Sequence, residues 1–199
     1  LAVARKVVSK ERIVKTLLDK VEENEGIKEV NLRGIAKEMG CAHTNIYNYF
    51  SSFTELIWVG ISQVLLTMIQ TVEVRIASEH KDQDRLFAAL DEIVCFSLDH
   101  PGWYRLIWLE AVDGEPPEDI SSILTQPSIG LATLLAQAAD EQLTDEDITR
   151  ITHVLHSYMH GEICQWLSGR AVKMNKQELR AAILFNLKHM YRLLTQELE

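Results

Sequence analysis

Apolar residues return at three- and four-residue steps along most of the chain, and no stretch alternates as a β-strand would. In "KERIVKTLLDKVEEN", Ile13, Val14, Leu17, Leu18 and Val21 form the stripe of a first helix. Asn31 stands where an N-cap should precede "LRGIAKEM", whose Leu32, Ile35, Ala36 and Met39 face one way, and Gly40 ends it. A third helix, "AHTNIYNYF", begins within a residue or two, with Ile46 and Phe50 four apart as anchors. Short helices joined across a Gly-containing turn predict a helix-turn-helix.

The remainder predicts six more helices. Ser51 or Ser52, with Glu55 at capping-box spacing from Ser52, opens a long helix running to about Glu79. "RLFAALDEIVCFSLDH" is the next, and Pro101 starts another through "WYRLIWLEAV". After the loop "DGEPPED", a helix from about Ser121 to Ala139 should bend or restart at Pro127. Thr144 with Asp147, and Asn175 with Glu178, cap the last two. The fold class is therefore all-α, about nine helices: a three-helix head over 1–50 and a six-helix body over 51–199.

Composition narrows the setting. Three cysteines without a paired motif (Cys41, Cys95, Cys164) argue for a reducing compartment. The opening "LAVARKVVSK" carries its charges too early for a signal peptide, and no window reads as the roughly 20 apolar residues of a membrane span. A soluble cytoplasmic protein is expected. The net charge of −9 hides an asymmetry: residues 1–58 sum to +1 and the rest to −10. Five cations lie between Arg5 and Lys15 beside the single carboxylate Glu11, the footprint of an arm meeting a polyanion.

That charge pattern gives "CAHTNIYNYF" its meaning. A helix entering the DNA major groove must offer donors and acceptors without presenting carboxylates to phosphates. His43, Thr44, Asn45, Tyr47, Asn48 and Tyr49 meet that demand. The competing reading is an amphipathic helix end whose tyrosines cap a core.

With these residues in view, "LRGIAKEMGCAHTNIYNYFSSFTELI" resembles the helix-turn-helix core of the tetracycline-repressor (TetR) family of transcriptional regulators, over roughly residues 10–58. The resemblance implies a helical effector-binding and dimerisation body. It also implies that Asn31 and Arg33 touch DNA from the second helix, while His43, Thr44, Asn45, Tyr47, Asn48 and Tyr49 make the recognition contacts. Two departures stand out. Ala42 replaces the usual capping Ser, so Cys41 or a backbone group must substitute or the helix frays; Phe53 replaces a frequent phosphate-binding Lys.

A homodimer on a pseudo-palindromic operator in double-stranded DNA is expected. Its seam is read on the last two helices, through Leu179, Ile183, Leu187, Met190 and Leu194. A small apolar effector is expected among Phe96, Trp103, Tyr104, Trp108 and His160, moving the helix near His100 against the long helix and releasing the operator. His153, His156, His160 and Cys164 line one side of the penultimate helix; packed histidines are favoured over a metal site. No cofactor is expected, and no nucleophile elbow, P-loop or dinucleotide fingerprint points to an enzyme. The alternatives are a helical adaptor without DNA binding, or a regulator with a metal or redox effector.

Overall fold

The computed structural model describes residues 8–139, 143–170 and 173–196. Among them are eight α-helices and one 3₁₀ helix, without strands: α1 (Lys10–Glu23), α2 (Leu32–Met39), the 3₁₀ helix (His43–Asn48), α3 (Phe53–Ile76), α4 (Asp82–Asp99), α5 (Pro101–Trp108), α6 (Glu118–Ala138), α7 (Asp145–Leu167) and α8 (Lys176–Gln196). The order and number of elements match the apolar periodicity. The chain divides into two compact units, one of 1–66 with 100–124 and one of 67–99 with 125–199, the division running through α3 and α6.

Helix ends follow side-chain chemistry. The Asn31 side chain accepts the Gly34 N–H at 3.0 Å, and the Ser9 hydroxyl caps α1 through the Arg12 N–H at 3.3 Å. Gly40 closes α2 at φ +69°, a conformation costly for a side chain bearing Cβ, with its N–H on the Lys37 carbonyl. Asn175 and Glu178 form a reciprocal box, each backbone N–H donating to the other side chain at 3.0 Å. At α3 the box is shifted by one residue. Ser52 Oγ accepts the Glu55 N–H, while the Glu55 carboxylate takes the Ser51 N–H and hydroxyl, which hold its pKa below the usual carboxylate range.

In the first unit, Ile13, Leu17, Val21, Ile35, Ile46 and Phe50 are buried and bind the first three elements together. Each such side chain contributes about 1.5–3 kcal/mol by leaving water. Helix α5 lies directly on α1. A Cβ on Gly102 would collide with the Val21 carbonyl and sit 2.7 Å from the Glu22 Cα, so only glycine permits this approach. At Gly60 on α3 the fit is close but softer, since a Cβ there would be 2.8 Å from Leu17 Cδ2, the end of a side chain that can move.

In the second unit, α4, α7 and α8 pack around Leu90, Val94, Ile151, Leu155, Ile163, Ile183 and Leu187. Arg180 of α8 grips the buried Asp91 of α4 through two 2.6 Å hydrogen bonds. Tyr191 meets the Phe87 ring edge-on and donates its hydroxyl to the Ala138 carbonyl at 2.9 Å.

Several expectations are corrected. Helix α3 ends at Ile76 rather than Glu79, and α6 runs as one helix through Pro127 without a restart. The long helix α3 is also apolar enough to cross a membrane by length and composition, its mean hydropathy reaching 1.4 over an 18-residue window. That overturns the reading that no such window exists; 39% of the window is buried within the protein. Three of the five residues of the predicted dimer seam are corrected as well, while Met190 and Leu194 are half-buried. Leu179, Ile183 and Leu187 are buried inside their own chain, because their stripe faces α4 and α7, whereas Phe185 and Leu193 on α8 are exposed.

Candidate nucleic-acid interface

The segment after Gly40 sorts its residues cleanly. Ile46 and Phe50 are buried at 0% and 2% exposure, while His43, Thr44, Asn45, Tyr47, Asn48 and Tyr49 are all exposed. The two anchors fix the backbone and leave six polar or aromatic side chains on one short, acid-free surface. Tyr47 is 52% exposed, unusual for an aromatic ring that merely caps a core.

The segment is a 3₁₀ helix, where an α-helix was predicted, and Ala42 supplies no side-chain cap. Without a side-chain acceptor, the first turn is held by the Asn45 N–H on the Ala42 carbonyl at 2.9 Å. The i→i+3 pattern is the tighter winding that short, poorly capped helices adopt. The missing cap was visible in the sequence; the change of helix type was not.

Around this surface the cations fall into two groups. Arg33 is exposed and carries no ion pair among those of the described residues. Lys15 instead pairs with Asp19 at 2.6 Å, and Lys20 with Glu38 at 3.5 Å. Lys10 lies 5.3 Å over the Phe50 ring, and Arg12 donates to the Met39 carbonyl at 3.4 Å. Much of the predicted basic arm is thereby engaged within the head. Arg5 and Lys6 lie outside the described residues. Asn31 has its side-chain oxygen committed to the cap, leaving its amide N–H groups for any other contact. Phe53 is half-buried.

The five predicted effector residues are divided between the two units, Trp103, Tyr104 and Trp108 in the first and Phe96 and His160 in the second. Trp103 is bound to α1: its Nε1 donates to the Leu18 carbonyl at 3.0 Å, and its backbone N–H donates to Glu22 at 3.1 Å. Burial pushes the Glu22 carboxyl up, with the N–H groups of Trp103 and Gly102 opposing it. Tyr104 is buried in the first unit and Phe96 in the second. His160 belongs to the second unit, its Nε2 lying 3.5 Å from Cys164 Sγ. Trp108 lines a cleft of about 240 Å³ with Trp58, Ile61, Leu65, Leu106 and Leu124, all in the first unit.

Sequence reasoning missed a further cavity of about 290 Å³ within the second unit. It is walled by Met68, Val72 and Ile76 of α3, Ala89 and Ile93 of α4, and Leu131 of α6. Its residues are ordinary members of amphipathic stripes, and nothing in their spacing separates cavity wall from core. His156 and His160 stack at 6.0 Å between ring centroids, and burial lowers the pKa of both. Among the described residues, no group of three or more His, Cys, Asp or Glu could hold a metal ion.

Residues 86–187, just over half of the chain, match the family described as Tetracyclin repressor-like, C-terminal domain. Nucleoid occlusion factor SlmA of Haemophilus influenzae is 21% identical over 98 residues, 49% of this chain and 45% of that protein. The chain thus spans about half the length of the curated relatives it matches. Among solved structures, BioQ with its double-stranded DNA operator superposes with a TM-score of 0.66 at 15% identity, covering 96% of this chain and 99% of that one. A TetR variant from Acinetobacter baumannii AYE in complex with minocycline gives 0.66 at 13% identity, covering 97% and 99%.

Proposed function

The chain belongs to the tetracycline-repressor-like (TetR) family, and we propose that it is a sequence-specific, non-enzymatic DNA-binding regulator of transcription, a cytoplasmic homodimeric repressor released by a small effector. Residues 1–50 read DNA, and residues 51–199 bind the effector and dimerise. The observation that carries this reading is the six-residue polar and aromatic surface of His43–Tyr49, exposed around two buried anchors and free of carboxylates. Arg33 adds an exposed cation from α2. The likeness of fold to an operator-bound structure supports the same conclusion.

One head buries too few phosphates and base edges to bind tightly, so two act together. They enter successive major grooves of a pseudo-palindrome roughly 34 Å apart. The exposed apolar side chains Phe185, opposite the predicted seam, and Leu193, at its flank, favour α8 as part of the dimer face. Selection from a random pool of double-stranded DNA tests the reading. A pseudo-palindrome should be enriched; a chain that enriches no sequence is not such a regulator.

A further inference from the structure

One side of α7 brings two metal-ligating side chains together. His160 Nε2 lies 3.5 Å from Cys164 Sγ, about one helical turn along. Zinc in a tetrahedron, about 2.3 Å from sulfur and about 2.0–2.1 Å from nitrogen, holds those two atoms about 3.6 Å apart. The pair therefore already has the spacing of one edge of a zinc site. A thiolate with an imidazole is also a donor set that selects zinc over magnesium or calcium.

Each chain supplies only this edge. His156 stacks on His160 with ring centroids 6.0 Å apart, and no third His, Cys, Asp or Glu among the described residues completes a site. A structural zinc takes four protein ligands, so two must come from outside the chain.

The surroundings of the pair show from where. On the same helix His153, Ser157 and Gln165 are exposed. A Cβ on Gly161, next to His160, would meet no atom within 4 Å. The adjoining α8 is tied to α7 by the Asn186 amide, which donates to the Tyr158 hydroxyl at 2.7 Å, and it exposes Phe185. A second copy covering Phe185 comes against the open side of α7, where a two-fold axis duplicates the pair.

We propose that two copies of this chain bind one zinc ion on their two-fold axis, through His160 and Cys164 of each. The site rests on the homodimer reading above. Each thiol gives up its proton on binding, so two protons leave per ion and two thiolates balance the charge of the metal. The ion then links the two copies of α7 directly.

Equilibrium dialysis of zinc against the reduced full chain, with cobalt(II) as a coloured substitute, tests the assignment. One ion should bind per two chains, with two protons released and a thiolate-to-cobalt charge-transfer band. Cys164→Ser should abolish the band and His160→Gln the binding, whereas Cys95→Ser and His156→Gln should leave both intact. Thermal melts in chelator should show all four variants folded, separating a lost ligand from a lost fold. No zinc binding, one ion per chain, a band that survives Cys164→Ser, or one lost with Cys95→Ser would each overturn the proposal. Sedimentation in chelator and in zinc separates the site from the dimer. With free zinc at about a hundred times its dissociation constant, the apparent dissociation constant of the dimer should fall about a hundredfold. A dimer in chelator that binds no zinc removes the site and keeps the dimer; a monomer under both conditions removes both.

Discussion

The Tyr49 hydroxyl donates to the Val8 carbonyl at 2.8 Å, tying the segment before α1 to the end of the 3₁₀ helix. Arg5 and Lys6 precede Val8 in the chain, so this bond holds the point to which they are attached. Tyr49→Phe should weaken binding to all DNA sequences alike, by about 0.5–1.5 kcal/mol, and reduce the salt dependence. Titrations of specific and random duplexes at several salt concentrations check this. A loss confined to one sequence would mean that Tyr49 reads a base instead.

Asn48 should behave in the opposite way. Its amide can pair with a base edge, and Asn48→Ala should lose about 1–3 kcal/mol of discrimination at one operator position while random DNA binds unchanged. Arg33→Ala should cost affinity and lower the salt slope by about one unit if Arg33 meets phosphate. Competition against operators mutated at each position reads both effects.

For the dimer, neighbouring α8 residues should respond differently. Phe185 is 72% exposed, so Phe185→Glu should leave each chain folded yet monomeric in sedimentation equilibrium, without operator binding. Ile183 is fully buried, and Ile183→Glu should unfold the second unit by placing a charge in its core. A dimeric Phe185→Glu protein would move the interface off α8.

Glu110→Ala removes both hydrogen bonds to Ile27 and should destabilise the first unit by about 1.5–3 kcal/mol, as expected for bonds to a charged acceptor. Hydrogen exchange at the Ile27 amide is the direct readout. Its protection should fall further than that of Ile35, which stays in the α2 ladder.

The paired histidines predict a pH response. Burial depresses the pKa of His156 below 6.5, with the charges of His160 and His153 acting in the same direction. Below 6.5 the unfolded chain takes up protons that the fold resists. Their stabilisation is thus present above about 6.5 and lost as pH falls through the lower folded value. Thermal melts should show a falling Tm on acidification, and His156→Gln should flatten that slope.

The sequence patterns that translated well were local. Asn31, Thr144 and Asn175 announced their caps because a capping side chain bonds to a backbone group three residues away. The sorting of Ile46 and Phe50 from their polar neighbours was equally legible, since both lie within one short segment. Partner choice was not. The apolar stripe of Leu179, Ile183 and Leu187 states that α8 packs on something, but the period is the same for a core and for a dimer seam. Trp103 and Trp108 looked alike as large aromatics. Only the fold shows that one donates to Leu18, 85 residues away, while the other lines a cleft.

Gly102 gives the contact of α5 with α1 the character of a joint without backlash. Where helices meet through long side chains, a small shift of one is absorbed by rotamer changes before the other feels it. On the α5 face there is little such cushion, because the α5 backbone rests on the Val21 carbonyl and the Glu22 Cα. A displacement of α5 smaller than a methyl group must therefore be passed to α1 as movement. The same fit leaves position 102 no tolerance for a larger residue, so fidelity of transmission and intolerance to drift come from one geometric fact.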